Sequence, residues 1–216
     1  MSERFDIYDE EGRPLGTATR QETHEKGYWH HTFHCWVARR GEDGRAYVLF
    51  QRRSPWKDTN PGRLDITVAG HLSAGETVRD AAREMDEEIG WSVPFERLVA
   101  YATIREEESG VAGSVPYIDR EVSHVFGCLT DKPLDFFRLQ PEEVSGIFEA
   151  DAEELIRLMS GDAATAEARG VLLSAGGERV HVAETIDAEQ FVPRDRSYYV
   201  GVFRFLRGLA LNESPA

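Results

Sequence analysis

The feature that most constrains the fold is a helix predicted over residues 77–89 and ended by Gly90. Apolar residues recur along it at helical spacing and form one face: Val78, Ala82, Met85 and Ile89. Carboxylates gather within an arc of roughly 100° and form a second face: Asp80, Glu84, Glu87 and Glu88. Because like charges at this spacing repel, the acidic face is either a solvated surface or a site where divalent cations remove the repulsion. Charge alone favours the solvated surface.

Hairpins, strands and further helices flank this helix on both sides. Turn residues and hydrophobic periodicity predict them in this order: hairpin 5–20, helix 21–26, strands 31–38 and 46–50, strand 64–70, strands 97–104, 118–129 and 144–150, helix 152–159, hairpin 171–186 and helix 197–211. The mixture of antiparallel hairpins and separated helices predicts one α/β domain over residues 1–216, with a sheet layered against helices.

The overall charge and the apolar pattern exclude several classes of function. The net charge of −14 disfavours a nucleic-acid partner, because an acidic surface repels phosphate backbones. No membrane span is expected, since Arg204 and Arg207 interrupt the C-terminal apolar stretch, and residues 1–6 lack the apolar core of a secretory signal. Cys35 and Cys128 lie far apart in strand-like contexts. We interpret them as buried free thiols, and expect a cytoplasmic protein.

The residues around the acidic helix give it a more specific meaning. Gly70 is followed after five residues by Glu76, and residues 83–91 read Arg-Glu-Met-Asp-Glu-Glu-Ile-Gly-Trp. This segment, residues 70–91, resembles the Nudix box, in which seven residues separate the first glutamate from the arginine. Here six residues separate Glu76 from Arg83. Because the apolar phase of the helix is unbroken, we expect the missing residue to be absorbed where the loop enters the helix.

The resemblance implies a Nudix fold, a mixed β-sheet sandwiched between α-helices, with Mg²⁺ or Mn²⁺ as cofactor. It implies Glu84 and Glu88 as the main metal ligands, helped by Glu87 and the backbone carbonyl of Gly70, while Arg83 orients the glutamates. Metal-assisted hydrolysis also needs a carboxylate that takes a proton from water. The family draws this base from different places, and the candidates are Glu87, Glu121, Glu142 and Glu143.

A basic loop before the box extends the resemblance. Three basic residues lie within one six-residue segment of this acidic chain: Arg52, Arg53 and Lys57. The layout resembles that of isopentenyl diphosphate isomerases and their hydrolase-like relatives. In that branch the residues matching Arg53 and Lys57 contact a diphosphate, so we expect these two and His71 to bind substrate. The resemblance covers roughly residues 5–160. The extension at about 165–216 either completes the domain or forms a dimer surface, and family habit suggests a homodimer.

The same branch suggests a second metal site. The isomerases bind a metal through three histidines and two acidic residues, and the candidates that match here are His24, His30 or His31, His71, Asp119 and Glu121. For each histidine the alternative is a packed or surface role. Four aromatic residues are likewise either base-stacking or structural: Trp29, Trp36, Trp56 and Tyr117.

Three functions follow from these patterns. Isomerisation needs an acid and a base on opposite faces of an alkene. Where the isomerases have a cysteine before the Gly-His pair, this chain has Ala69, and Cys35 lies on another strand. Glu121 matches the glutamate that the isomerases use together with this cysteine, so only one of the two residues of the acid–base pair is present here. We therefore predict an enzyme that hydrolyses a phosphoanhydride bond in a small nucleotide-like or other diphosphate. The alternatives are an isomerase-like enzyme and an inactive Nudix-like binding module.

Overall fold

The computed structural model describes residues 3–112, 115–174 and 176–212, so residues 1 and 2 of the predicted N-terminal stretch lie outside the described residues. The strands are β1 (Arg4–Tyr8), β2 (Pro14–Thr19), β3 (Trp29–Arg40), β4 (Ala46–Arg53), β5 (Leu64–Asp65), β6 (Val68–His71), β7 (Val99–Ala112), β8 (Val115–Leu129), β9 (Val144–Asp151), β10 (Ala166–Leu173) and β11 (Arg179–Ile186). The α-helices are α1 (Arg20–Lys26), α2 (Glu84–Ile89), α3 (Ala152–Ser160) and α4 (Arg196–Leu211). Short 3₁₀ helices cover Asp80–Arg83, Phe95–Arg97, Leu134–Phe136 and Ala188–Gln190.

The strands form one mixed sheet whose centre is β3. Its main path runs β11-β10-β9-β4-β3-β1-β2, while β6 and β8 also pair with β3, and β7 pairs with β8. β3 and β8 are parallel over the ten residue pairs from Trp29↔Arg120 to Ala38↔Leu129, and the neighbouring pairings are antiparallel. β3 can serve four neighbours because it is long and almost wholly buried, as its run of apolar and histidine residues allows.

Alternation along β3 divides the interior into two cores. Phe33, Cys35 and Val37 face α2 and pack with Met85 and Ile89. The intervening side chains face the opposite way, where Trp36 and Ala38 pack against the apolar sides of α3 and α4. The predicted arrangement, a mixed sheet between helices, is therefore confirmed. Both cysteines are free and buried, as predicted.

The C-terminal extension shares this sheet and core. β10 pairs with β9, and α4 buries Tyr198, Val202 and Leu206 beneath the sheet. The apolar face of the terminal helix is thus covered by the chain itself. In the part of the chain that the structure describes, no helix is long and apolar enough to cross a membrane.

One predicted strand was wrong. Residues 64–71 contain two strands, β5 and β6, because the side chain of Thr67 bonds the neighbouring strands β3 and β4 at the point between β5 and β6. Its hydroxyl donates to the carbonyl oxygen of Leu49 at 2.5 Å and accepts from the backbone N–H of Val37 at 2.9 Å. A side chain that bonds both neighbouring strands replaces the backbone pairing at that point. The break turns Asp65 and Gly70 toward a common cavity.

Candidate active site

A cavity of about 590 Å³ opens beside α2 and β6. Its walls come from the basic loop after β4, from β7 and β8, and from residues 192–195 after the last strand. The wall carries twelve carboxylate side chains but only six lysine or arginine side chains. Such an excess of negative charge has to be offset before a phosphorylated molecule can bind.

The helix α2 brings its two inner carboxylates to the cavity wall. Glu84 and Glu88 are one helical turn apart, and both face β6. Glu84 lies against the Cα of Gly70, where an added Cβ would fall 2.4 Å from the Glu84 carboxyl carbon. Only glycine leaves room for this carboxylate next to its own backbone. We call Gly70, Glu84, Glu87 and Glu88 the glutamate site.

Burial makes the negative charges of this site costly. Burial, with repulsion from Glu84 added, raises the pKa of Glu88 well above its usual value. Burial also raises the pKa of Glu84 to about 7, although the Arg83 charge opposes the shift. Among the described residues, Glu88 accepts two long hydrogen bonds, from the Ala69 N–H at 3.4 Å and from Gln51 Nε2 at 3.3 Å. Packed carboxylates beside a glycine backbone are a donor set of the kind Mg²⁺ and Mn²⁺ prefer, so the residues fit the expected cofactor.

Arg83 donates hydrogen bonds to three acidic side chains of the box. Its Nη1 donates to Glu84 at 2.6 Å and to Glu87 at 2.7 Å, while Nε and Nη2 donate to Glu76 at 2.8 and 3.0 Å. The guanidinium thus ties the first glutamate of the box to the helix. Glu87 keeps half of its side-chain surface exposed, so it remains accessible from the cavity.

The entry to this helix differs from the prediction and accounts for the missing residue. A 3₁₀ helix at Asp80–Arg83 precedes α2, which begins only at Glu84. Four 3₁₀ residues at ~2.0 Å rise span about as much as five α-helical residues at ~1.5 Å. Because its rise per residue is larger, a 3₁₀ segment can span the length of an α-helical segment with one residue fewer. Asp80 does not join the glutamate site, because it caps the turn by accepting from Thr77 Oγ1 at 2.7 Å.

A second group of titratable side chains borders the same cavity. We call it the histidine cluster, and its members are His24, His30, His71, Asp119 and Glu121. Asp119 Oδ1 lies 3.4 Å from His24 Nε2 and 3.5 Å from His30 Nε2. His71 Nε2 lies 3.7 Å from Glu121 Oε1. The three Nε2 atoms and Asp119 Oδ1 are buried without a hydrogen-bond partner in the described residues.

The structure decides between the two neighbouring histidines. His31 turns away from the cluster, and its Nδ1 lies 2.8 Å from His124 Nε2. His30 is fully buried, and its Nδ1 donates to the Tyr28 carbonyl at 3.1 Å. This bond leaves Nε2 with a lone pair toward Asp119. Burial lowers the pKa of His30 to about 4, so the ring is neutral near pH 7.

His71 differs from His30 in the ring nitrogen that carries the proton. Arg20 Nη1 lies 3.3 Å from His71 Nδ1, and a guanidinium can only donate. The His71 proton is therefore on Nε2 in this arrangement, on the side of Glu121. Burial, with the Arg20 charge added, lowers the pKa of His71 well below its usual value. Arg20 must release Nδ1 before His71 can ligate a cation through Nε2.

Most of the residues predicted to bind substrate or to act as the base lie in the cavity wall, but one lies outside it. Arg53 and Lys57 both line the cavity, with Arg53 bonded to Asp65 and Lys57 paired with Glu143. Glu121 and Glu143 are also in the wall, whereas Glu142 is exposed outside it. Burial, with Asp119 repulsion added, raises the pKa of Glu121 to about 8.

The aromatic candidates and the isomerase position also have defined surroundings. Tyr117 lines the cavity, Trp36 is in the core and Trp56 is 83% exposed. Trp29 is covered by the Arg105 guanidinium at 3.9 Å. Ala69 lies in the cavity wall, while Cys35 is fully buried among the side chains that face α2. No thiol therefore replaces the cysteine of the isomerases.

Two wall residues were missed from the sequence. Asp65 is 1% exposed and accepts from two arginines, Arg53 and Arg194. The sequence feature that could have indicated Asp65 is a carboxylate within a mostly apolar predicted strand. Arg194 belongs to no motif or periodic pattern that would have indicated it.

Comparison with known proteins agrees with this geometry. The NUDIX domain family matches residues 29–170. An uncharacterised Nudix hydrolase of Clostridium acetobutylicum is 37% identical over 207 residues, which cover 95% of this chain and 98% of that protein. The uncharacterised Nudix hydrolase YfcD of Escherichia coli is 30% identical over 156 residues, covering 71% and 77%. A crystal structure of DR0079 from Deinococcus radiodurans is similar in fold, with a TM-score of 0.52, 21% identity and coverage of 74% and 90%.

Proposed function

This chain belongs to the Nudix family of hydrolases, and from that premise we propose that it is a Mg²⁺- or Mn²⁺-dependent enzyme. Its reaction is hydrolysis of a phosphoanhydride bond in a small nucleotide-like or other diphosphate. The observation that carries the proposal is the packing of Glu84 against Gly70 and of Glu88 against the Ala69 N–H of β6, with Arg83 bonded to Glu84 and Glu87.

The glutamate site would hold the cation through Glu84, Glu88, Glu87 and the Gly70 carbonyl. When bound, such an ion supplies Lewis acidity toward phosphoryl oxygens and toward water. The chain itself contributes the orientation of the carboxylates, through Arg83, and the burial that makes their unpaired charges unfavourable. A cation therefore binds with a gain from relieved repulsion.

The remaining wall binds and positions the substrate. Arg53 and Lys57 are two of the six basic side chains in a wall with twice as many carboxylates, and their positive charge favours the phosphoryl groups of a diphosphate. A carboxylate must take the proton of the attacking water, and Glu87, Glu121 and Glu143 line the cavity where that water would lie. We no longer include Glu142 among these candidates, because it lies outside the cavity.

The histidine cluster supports a second cation site beside the first. Three buried imidazole Nε2 atoms and a buried carboxylate oxygen have no hydrogen-bond partner among the described residues, which is costly unless an ion or a water binds there. Mixed imidazole and carboxylate ligands favour a transition metal such as Mn²⁺ or Zn²⁺ over Mg²⁺. We also propose a cytoplasmic location, since both thiols are free, and a small-molecule substrate rather than nucleic acid.

A hydrolysis screen tests this proposal, with chromatography to separate each substrate from its phosphorylated products, because cleavage of a nucleotide sugar releases no free phosphate. Purified protein would be assayed with nucleoside triphosphates, nucleotide sugars, dinucleotides, other diphosphate metabolites and isopentenyl diphosphate, with and without Mg²⁺ or Mn²⁺. Metal-dependent cleavage of any of them, lost in Glu84→Gln and Glu88→Gln, is the expected result.

Two other functions give different results in the same screen. Rearrangement of isopentenyl diphosphate without phosphate release would indicate the isomerase, which Ala69 disfavours. Metal binding without turnover of any compound would indicate a binding module, which the retained glutamate site disfavours because a binding module has no need of repelling acids.

A further inference from the structure

The chain after β11 returns to the cavity along a defined path. The backbone of Phe191 pairs with Leu64 of β5, and the Val192 N–H donates to the Leu64 carbonyl at 2.9 Å. Phe191 is 1% exposed, and its ring lies 5.4 Å from that of Phe50. Tyr199 of α4 donates its hydroxyl to the Val192 carbonyl at 2.7 Å. These contacts fix the position from which Arg194 enters the cavity wall.

Arg194 is joined to Arg53 through one carboxylate. Arg194 Nη1 donates to Asp65 Oδ1 at 2.7 Å, and Arg53 Nη1 donates to Asp65 Oδ2 at 2.8 Å. Burial alone would raise the pKa of Asp65, but the charges of Arg194 and Arg53 outweigh it and lower the pKa to about 2. Asp65 is therefore ionised at neutral pH, and it holds the two guanidinium groups side by side.

The guanidinium of Arg194 has donors left over. Its Nη1 also points to the Tyr199 hydroxyl at 3.4 Å, and its Nε lies 3.8 Å from Glu106, beyond hydrogen-bond distance. Within the residues that the structure describes, its Nη2 has no hydrogen-bond partner. A mostly buried guanidinium that lines a cavity can therefore direct its remaining N–H groups to an acceptor in that cavity, either water or a ligand.

We propose that Arg194 is a substrate-binding residue that determines specificity for a diphosphate, with its Nη2 edge donating to a phosphoryl oxygen. Asp65 holds Arg194 and Arg53 as a pair, so that two planar cations meet two linked phosphoryl groups. The inference rests on the proposed function and adds a residue from outside the region that the NUDIX domain family matches.

The test is binding of methylenediphosphonate, whose P–C–P linkage cannot be hydrolysed, measured by calorimetry in the presence of Mg²⁺. Arg194→Lys keeps a charge beside Asp65 but loses the second donor edge. It is expected to weaken binding about tenfold or more, as for loss of a hydrogen bond to a charged group. Inorganic phosphate, with a single phosphorus centre, should lose much less affinity than the diphosphonate.

Arg196→Met is the matched control from the same segment. Arg196 is exposed, pairs with Glu189 at 2.9 Å and does not line the cavity, so wild-type binding is expected. Arg194→Met is the stronger variant, and thermal unfolding shows whether it folds. If it does not, Arg194→Lys decides the question.

Wild-type affinity for methylenediphosphonate in Arg194→Lys would overturn the inference. So would an equal loss for phosphate and diphosphonate, because a merely structural arginine would weaken both. These outcomes are separate from the proposed function. An active wild type with unchanged binding in Arg194→Lys contradicts only this inference, whereas a wild type that cleaves nothing contradicts the proposed function.

Discussion

The glutamate site and the histidine cluster border one cavity, yet the chain builds them in different ways. The glutamate site lies within residues 70–88, and a single arginine bonds two of its carboxylates, Glu84 and Glu87, together with Glu76 outside it. The histidine cluster gathers side chains from α1, β3, β6 and β8, and Arg20 occupies a ring nitrogen that a ligating His71 would need to protonate. Gly70 and His71 are adjacent in sequence, and each belongs to one of the two groups.

This difference separates a site that is ordered in advance from one that is only partly ordered. In the glutamate site, ion pairs with Arg83 already hold Glu84 and Glu87, so a cation requires little rearrangement of these two carboxylates. In the histidine cluster, the bond from His30 Nδ1 to Tyr28 leaves His30 Nε2 able to bind a cation, whereas Arg20 must move away before His71 Nε2 can do so. We therefore expect the glutamate site to dominate catalysis and the histidine cluster to modulate it.

The largest expected effect is at the two buried glutamates. Glu84→Gln and Glu88→Gln should each lower kcat by on the order of 10³-fold, since several kcal/mol of charge stabilisation are lost. Neither change should lower the unfolding temperature, because each removes a charge from a repelling, buried pair. The checks are phosphate release and thermal unfolding without added metal.

Glu142→Gln is the matched control, because it removes an acid of the same type that lies outside the cavity. It should keep wild-type activity. Full activity in both Glu84→Gln and Glu88→Gln would contradict the assigned cation site and reverse the order of the two regions.

The next largest effect is expected at Gly70. In Gly70→Ala the new Cβ would fall 2.4 Å from the Glu84 carboxyl carbon, so the carboxylate must move. We expect a loss of roughly 1–3 kcal/mol in the free energy of unfolding, as for overpacking elsewhere, together with a higher Mg²⁺ requirement for activity. Phosphate release as a function of Mg²⁺ concentration measures the second effect. An unchanged Mg²⁺ requirement would place the cation away from β6.

The histidine cluster should give a smaller change in activity but a distinct change in metal binding. His30→Ala is expected to remove one bound Co²⁺ with nitrogen ligands, observed by its visible absorption, and to lower activity roughly ten- to hundredfold. Glu84→Gln should keep that absorption band. His31→Ala is the neighbouring control, since His31 faces His124. The same Co²⁺ stoichiometry and spectrum in His30→Ala and the wild type would leave the glutamate site as the one cation centre.

The contrast between the two regions also explains what the sequence could predict. The glutamate site follows from a local pattern, because residues three and four apart on a helix necessarily share a face. The choice between His30 and His31 as a member of the histidine cluster does not follow from a local pattern. Alternation separates the two residues onto opposite faces of β3, but only the packing of Trp36 against α4 and of Phe33 against α2 decides which face meets the cavity.

Arg194 and Asp65 were beyond sequence reasoning for a related reason. They are 129 residues apart, and they meet because Phe191 and Val192 dock on β5. No periodicity or motif records such a contact, since it depends on tertiary packing alone. The division of residues 64–70 into two strands was hidden in the same way, because a single threonine hydroxyl produces it.

The smallest effect is expected at Glu76, which lies six residues before Arg83 in the shortened part of the box. Glu76 accepts two hydrogen bonds from Arg83 and does not line the cavity, so its role is to orient the arginine. In Glu76→Gln, Glu84 and Glu87 still hold Arg83, and a partly exposed ion pair contributes only about 0.2–1 kcal/mol. We therefore expect less than about a tenfold loss of kcat/KM and a small decrease in unfolding temperature. A loss as large as that in Glu84→Gln would show that Glu76 itself acts on the cation, and that the 3₁₀ entry to α2 preserves the whole box rather than only its helical half.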